Sequence, residues 1–408
     1  MRIVFLNPAG AIGGAERALI DIIASLKKAR PDWQLSLIAA ADGDLVRQAR
    51  ELGAQASVVV FPGSLAVLGD AGTIDELGGR KRSIALAGRL AMAMPAIAIY
   101  RQRLARAIRE AAPDVVHTNG FKMHVLGASA APRSIPMLWH IHDFVRARPM
   151  MAPLLRAYVG RCSAIVANSH SVAADIKAAL RHTPPIFTVY NAVNLFCFTP
   201  KSNQADLDRL AGLPPLSEGG VRVGIVATMA RWKGHETFLR AISLLPTTMP
   251  VRAYVIGGPL YETEGSQYKI AELREMATQM GLEGRVGFTG FVSEVAPVMR
   301  ALDVVVHAST QPEPFGLVIA EAMACGRAVI VSAAGGAAEI IEDGIDAMAH
   351  PPGDAEELAR LIAKLATDPA MRQRLGDAAA KASARRFTHE RLANDLVPIY
   401  QSISPAAA

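Results

Sequence analysis

Short β-branched runs alternate with longer helical patterns along most of the chain, and they do so in two series. The first has strand segments at 2–7, 34–39, 57–61, 114–118, 136–142, 163–167 and 186–190, with helical stretches such as 15–30 and 170–181 between them. A polar interval rich in Pro and Gly follows at about 199–220. The pattern then restarts, with strands at 221–227, 251–257, 285–289, 303–307 and 328–332 and helices near 234–245, 266–281, 316–325 and 336–343. Such alternation implies right-handed crossovers and parallel sheets covered on both faces. Two series therefore predict two doubly wound, Rossmann-like α/β domains facing a cleft, with ligand sites outside the carboxyl ends of the strands. The expected division is a first domain at 1–198, a linker at 199–220 and a second domain at 221–388, with a last helix in 389–408 packing back onto the first domain.

A chain of 408 residues suits two cores of this kind better than one. Cys162, Cys197 and Cys325 have no paired spacing, which argues against a disulfide framework and for a reducing, cytoplasmic setting. The apolar run Leu90–Tyr100 is too short to span a bilayer and contains Pro95. Net charge is uneven: residues 1–198 carry 23 Lys/Arg against 13 Asp/Glu, and the remainder 20 against 24. A basic front half and an acidic rear half imply different partners for the two surfaces.

Five segments have the composition of a site. Gly13-Gly14-Ala15-Glu16 lies between the first strand and a helix. The glycines allow close backbone approach, and the helix start offers N–H groups to an anion; a plain tight turn explains them as well. In Glu313-Pro314-Phe315-Gly316-Leu317, Pro312 and Pro314 keep Glu313 in a loop, because proline disfavours helix in the residue before it. The helix then begins near Phe315, with the Gly316 and Leu317 amides free for a phosphate. Glu321 falls inside this otherwise apolar helix, where an unpartnered charge is expensive. Carboxylates suit a vicinal diol, since each accepts more than one hydroxyl. Thr228-Met-Ala-Arg231-Trp232-Lys233-Gly234 follows a strand, and its two cations fit either a diphosphate leaving group or solvent. In Trp139-His140-Ile141-His142-Asp143, alternation puts the two histidines on one face, but no third metal ligand has sensible spacing. Asp42-Gly43-Asp44 looks like a metal-binding pair and is read as a helix cap.

Together these segments resemble the GT-B-fold retaining glycosyltransferases of the large bacterial family 4 (group 1). Glu313 and Glu321 match the family's E-x7-E pattern in its EPFG…EAMACG context, and Gly13–Glu16 matches the N-terminal GGAE loop. His142-Asp143 matches its HD, and Val189-Tyr-Asn191-Ala-Val-Asn194 its hinge sequence. Val255-Ile-Gly257-Gly258, Phe288-Thr-Gly290-Phe291 and Gly335-Gly336 are further points of similarity. The resemblance implies a nucleotide-sugar donor, a UDP- or GDP-sugar, held by the C-terminal domain, and an acceptor held mostly by the N-terminal one. It gives Glu321 the ribose hydroxyls, Glu313 the donor sugar, Lys233 and Gly14 the diphosphate, and His142 the reacting sugar. Gly13, Thr228, Gly257, Phe315, Gly316 and Leu317 complete the expected donor site. No metal or other cofactor is implied, because Arg and Lys supply the positive charge. Thr228 departs from the family by standing where an arginine is usual, and Arg231 is the expected substitute. Two other activities fit the same fold: a sugar-nucleotide epimerase and a degenerate nucleotide-binding protein.

The stretch Arg80–Arg109 contains Arg80, Lys81, Arg82, Arg89, Arg101, Arg103, Arg106 and Arg109 and no acid, interleaved with Ile84, Leu86, Leu90, Ile97 and Ile99. A basic amphipathic helix of this kind can lie on an anionic bilayer, with each cation contributing about 1 kcal/mol. This reading gives a peripheral enzyme at the inner face of the cell membrane. It would take a glycan or polyprenyl-linked acceptor and no nucleic acid. The competing reading is a sheet-covering helix with a solvated Arg face.

Overall fold

A computed structural model describes residues 1–63, 79–258 and 266–404, with the backbone alone described at 79–93. By contact the chain divides into two compact units, Met1–Ala192 with His389–Ala408, and Val193–Thr388.

Among the described residues, the first unit carries a seven-stranded sheet: β1 (Arg2–Asn7), β2 (Gln34–Ala39), β3 (Gln55–Val58), β4 (Val115–Asn119), β5 (Met137–Ile141), β6 (Ala164–Ala167) and β7 (Ile186–Thr188). Its order is β3-β2-β1-β4-β5-β6-β7 and every pair is parallel. Its helices are α1 (Gly14–Ala29), α2 (Asp44–Glu51), α3 (Gly79–Ala111), α4 (Phe121–Ala130), α5 (Met151–Tyr158) and α6 (His170–Ala179). A sheet covered on both faces needs apolar residues in both registers of a central strand. In β1, Ile3 and Phe5 enter one core while Val4 and Leu6 enter the other. The core holding Ile3 and Phe5 also takes Leu392, Leu396, Ile399 and Tyr400 from the C-terminal helix, labelled α15 below.

The second unit carries, among its described residues, β8 (Val221–Val226), β9 (Val251–Ile256), β10 (Val286–Gly290), β11 (Val304–His307), β12 (Ala328–Ser332) and β13 (Met348–His350) in the order β10-β9-β8-β11-β12-β13, again all parallel. Helices α7 (Leu207–Ala211), α8 (His235–Ser243), α9 (Ile270–Gln279), α10 (Val295–Ala301), α11 (Leu317–Ala324), α12 (Gly336–Glu339), α13 (Ala355–Thr367) and α14 (Pro369–Arg386) surround it, and α15 (His389–Ile403) closes the chain in the first unit. In each sheet the strand order reverses beside a central pair, β1/β4 and β8/β11. Loops leaving the carboxyl ends there diverge to opposite faces and open a crevice.

Two details differ from the sequence reading, and a third bears on the basic stretch. The interval 199–220 is built into the second unit: Asp208 on α7 is buried and accepts hydrogen bonds from Arg222 (2.8 Å), Arg252 (2.6 Å), the Tyr254 hydroxyl and the Leu216 amide (3.1 Å). The division instead falls at Ala192/Val193, inside the hinge-like sequence. Neither Asp42 nor Asp44 caps α2 with its side chain. The cap residue is Gly43, and Asp44 pairs with Arg47 at 2.9 Å within the first turn. The Asp42–Gly43 turn is fixed by backbone crowding, since a Cβ on Gly10 would meet the Asp42 carbonyl oxygen at 2.1 Å. Helix α3 packs on the sheet through buried Tyr100, Leu104 and Ile108, so over this stretch its apolar side is taken by the core. Arg101, Arg103, Arg106 and Arg109 are exposed, and Met94 and Ile99 are exposed beside them. The side chains of Arg80, Lys81 and Arg82 lie outside the described residues. No described helix is long and apolar enough to cross a membrane.

Candidate functional site

In the second unit the loops leaving β8 and β11 are locked together. Gly234 has φ 79°, a left-handed conformation suited to glycine, and a Cβ there would lie 1.8 Å from the Ala308 carbonyl oxygen. The Thr310 amide donates to the Trp232 carbonyl at 2.8 Å. This contact sets Lys233 opposite the Thr310–Phe315 loop. The Lys233 Nζ donates to both Glu313 oxygens, at 2.9 and 2.8 Å, and its ammonium also lies 4.1 Å from the Trp232 ring centre.

Glu313 is held from three further sides. Ser309 Oγ donates to Oε2 at 3.0 Å, and His307 Nε2 lies 3.2 Å from the same oxygen. The backbone is fixed by reciprocal bonds, Glu313 N to Ala334 O (3.1 Å) and Gly336 N to Glu313 O (2.7 Å). Gly335 and Gly336 are needed for that approach, since a Cβ on either would fall 2.5 Å from Glu313 O or 2.1 Å from Pro314 O. Burial works against the charged carboxyl, but the Lys233 charge and the His307 contact outweigh it and hold Glu313 well below the usual carboxylate range. His307 and Ser309 were missed in the sequence. His307 ends β11 and reads as strand, and only the fold shows that its ring turns toward Glu313.

Helix α11 starts at Leu317, after Gly316 in a left-handed conformation (φ 96°). The Ile319 and Ala320 amides fold back on Gly316 O, leaving Leu317 and Val318 as the leading amides of the turn. Phe315 is buried edge-on against Phe387, anchoring the loop from below. Glu321 is half-buried in the middle of α11, between the buried Ala320 and Ala322. Thr228 is half-buried after β8, and Gly257 (φ 135°) sits against the Ala227 carbonyl, which a Cβ would meet at 1.9 Å. Arg231 precedes Lys233 by two residues in the same loop. Its guanidinium lies 4.3 Å from the Tyr268 ring centre and 3.6 Å from Glu272, and the side chain is exposed. Lys233 is the residue whose ammonium is bonded to Glu313. Just behind it, His235 is fully buried, and burial together with the Lys233 charge lowers its pKa to about 4.

In the first unit the corresponding crevice lies at the ends of β1, β4 and β5. Gly13 caps α1 without a side chain, and Glu16 folds back on it, accepting from the Gly13 amide (3.1 Å) and from Asn7 Nδ2 (3.3 Å). Asn119 at the end of β4 donates to Asn7 Oδ1 at 2.6 Å. The glutamate of the GGAE segment is therefore a loop fastener, while Gly14 has open space beside its Cα. His140 and His142 share a face as alternation requires, with ring centres 3.9 Å apart. Neither has a hydrogen-bond partner, and the nitrogens of both are shut off from solvent. Burial lowers the His142 pKa to about 4. Asp143 is occupied by Arg148 at 2.9 Å. Among the described residues no group of His, Cys, Asp or Glu has the arrangement of a metal site.

The family model "Glycosyltransferase Family 4" matches residues 12–195, and "Glycosyl transferases group 1" matches residues 214–382. The D-inositol 3-phosphate glycosyltransferase of Xylanimonas cellulosilytica is 30% identical over 308 residues, covering 70% of this chain and 71% of its own length. The chain belongs to the group 1, family 4 glycosyltransferases. This glycosyltransferase is also similar to the lipopolysaccharide core biosynthesis glycosyltransferase LpsE of Rhizobium meliloti, with 29% identity over 181 residues, 44% of this chain and 50% of the relative. A crystal structure of Anabaena HepE in complex with UDP and glucose superposes with a TM-score of 0.78 at 26% identity, covering 98% of this chain and all of that one. The two parallel-sheet α/β domains are those of the GT-B fold.

Proposed function

We propose that this glycosyltransferase is retaining and metal-independent. In this reading it moves a sugar from a UDP- or GDP-sugar to a glycan or polyprenyl-linked acceptor in bacterial surface polysaccharide or glycoconjugate synthesis. The observation that carries the reading is the Lys233–Glu313 pair at the switch point of the second sheet. It joins a cation suited to a diphosphate and a rigidly held carboxylate suited to sugar hydroxyls. The similarity to HepE, solved with UDP and glucose, and to LpsE of lipopolysaccharide core synthesis supports the donor and acceptor classes.

Lys233 and the leading amides of α11 bind the diphosphate, and Glu321 takes the ribose hydroxyls. Thr228, Gly257, Phe315, Gly316 and Leu317 shape that pocket, and Gly13, Gly14 and His142 act from the first unit on the diphosphate and the sugar. Glu313 meets the donor sugar. Its Oε2 already accepts from Lys233, Ser309 and His307, so Oε1 is the more available oxygen. The acceptor oxygen attacks the anomeric carbon on the face from which the diphosphate departs. The bond from that carbon to the phosphate oxygen breaks, and the acceptor proton passes to the leaving phosphate. Lys233 offsets the charge that grows on the diphosphate, which removes the need for a divalent cation. Exposed Arg101, Arg103, Arg106 and Arg109 support working contact with an anionic membrane at the cytoplasmic face.

A thermal-shift screen of UDP-, GDP- and ADP-sugars tests the donor class, because a ligand bound only to the native state raises apparent stability. One nucleotide series should stabilise the protein and Glu321→Ala should lose that effect; stabilisation by none of them would sink the proposal.

A further inference from the structure

Four histidines of the first unit gather around β4 and β5, three of them buried and His142 half-buried, and only His142 has a role in the proposed reaction. The other three are costly to place there. His117 and His124 have no solvent exposure, and His140 has almost none. Burial keeps all four neutral: the pKa falls to about 3 at His117 and about 4 at His142, and well below the ordinary value at His124 and His140. His117 Nε2, both nitrogens of His140 and both of His142 lack hydrogen-bond partners. Buried unpaired polar atoms are uncommon in native interiors and call for an explanation. An apolar side chain of similar size would fill the His140 position at lower cost.

His124 belongs to a separate arrangement, stacked 5.1 Å from Trp139 and bonded to Thr118 Oγ1 at 2.6 Å. The remaining three form a column. Tyr400, on α15, sets its hydroxyl 2.6 Å from His117 Nδ1. The His117 ring meets His140 edge-on with centres 5.4 Å apart, and His140 lies against His142 at 3.9 Å. Phe5 and Trp33 wall the lower end, at 5.0 Å from His117 and 5.9 Å from Tyr400. Tyr400 is fully buried, so its hydroxyl has this one fixed direction, and it comes from the far end of the sequence. A side chain ending a strand is oriented by what lies beneath it, and here the layer beneath is made of rings whose own rotation is set from α15.

We propose that Tyr400, His117 and His140 are positioning residues that fix the ring orientation of His142, so that the C-terminal helix controls a side chain acting on the donor sugar. The proposal rests on the reading of His142 as a sugar-side group. It assigns a function to α15 beyond covering the sheet: α15 orients the reacting side of the first unit. Removing the Tyr400 hydroxyl releases the His117 ring. His140 and His142 then sample more than one orientation, while the apolar packing of α15 through Leu392, Leu396 and Ile399 remains.

The test uses the full chain in three variants, Tyr400→Phe, His117→Phe and His140→Phe, with His142→Ala as reference. Imidazole nitrogen NMR of the unliganded protein, with the His142 signals identified by their loss in His142→Ala, reads the column directly. Tyr400→Phe should broaden or shift the His142 ring signals although the two residues are not in contact. Turnover of the donor selected by the thermal-shift screen, to acceptor or to water, should fall in kcat by roughly 10- to 100-fold with KM within about twofold, because orientation in the transition state is lost while donor binding is kept. Unchanged His142 signals in Tyr400→Phe and His140→Phe would overturn the proposal. So would a loss confined to melting temperature with kcat intact. If His142→Ala itself leaves turnover intact while the NMR coupling is present, the sugar-side reading of His142 has failed and the column stands as a structural coupling only.

Discussion

Replacing Lys233 by Met removes the main counter-charge of a carboxylate that cannot reach water freely. The Glu313 side chain is 11% exposed and that of Lys233 18%, so the pair is scarcely screened. Breaking a buried pair by deleting one partner costs about 3–5 kcal/mol, because the remaining charge is left uncompensated. Ser309 and His307 still contact Oε2, which puts the expected loss near the lower limit, about 3 kcal/mol. For a unit of this size that is a fall of roughly 6–12 °C in melting temperature at neutral pH. The pH dependence has a definite sign. In the native chain the folded pKa of Glu313 lies below its ordinary 4.5, so its contribution is full above that value and is lost as pH falls through the folded value. In Lys233→Met burial is no longer opposed by the lysine, the folded pKa rises, and that contribution shrinks or reverses. The difference between the two proteins is therefore largest near neutrality; it narrows as pH falls through the raised folded pKa of the variant and further below about pH 4.5. Scanning calorimetry from pH 4 to 8, with Glu313→Gln in both backgrounds, measures it. The double variant should recover more than half of the loss, because a neutral amide needs no counter-charge. A Lys233→Met protein that melts within about 2 °C of the parent at pH 7, or no recovery in the double variant, would refute the reasoning.

Gly234→Ala should fail to give a folded second unit or lose well over 2 kcal/mol, since its Cβ meets a backbone carbonyl at 1.8 Å and its φ is left-handed; circular dichroism of the purified variant decides. Glu321→Ala should alter stability by less than about 1 kcal/mol, as expected for a half-buried side chain, yet lose the thermal shift given by the preferred nucleotide. The chain should float with anionic liposomes in low salt and be released in high salt, and Arg101, Arg103 and Arg106 changed together to Ala should weaken that binding. Absence of flotation, with full activity on a soluble acceptor, would remove the membrane from the account.

The sheets and their strands were largely legible, because a strand covered on both faces is written as an unbroken apolar run, as in Ile3–Leu6 or Val304–Val306. The strand Met348–His350 was not, since three residues without a β-branched side chain give no such signal. The interval 199–220 looked like a linker because its turns are rich in Pro and Gly. What places it in the second unit is contact made far along the chain: buried Asp208 has its partners Arg222, Arg252 and Tyr254 on two later strands, and buried Arg300 donates to the Asn203 carbonyl. In the site, the prolines around Glu313 and the apolar setting of Glu321 could be read locally. The partners of Glu313 could not: His307 and Lys233 reach it only once β8 and β11 lie side by side. Arg231, two residues earlier in the same loop, has its guanidinium beside Tyr268 and Glu272, contacts that the local sequence does not announce either.

The central claim is transfer from a nucleotide-sugar with the anomeric configuration kept, carried out by Lys233 and Glu313 without a metal. Proton NMR of the anomeric signals during turnover of the donor selected by thermal shift, with a chelator present, measures this in one experiment. The account predicts release of the nucleoside diphosphate together with a product of the same anomeric configuration as the donor, and loss of both in Glu313→Gln. A product of opposite configuration, an epimerised sugar nucleotide with no diphosphate released, or turnover that stops with the chelator would contradict it.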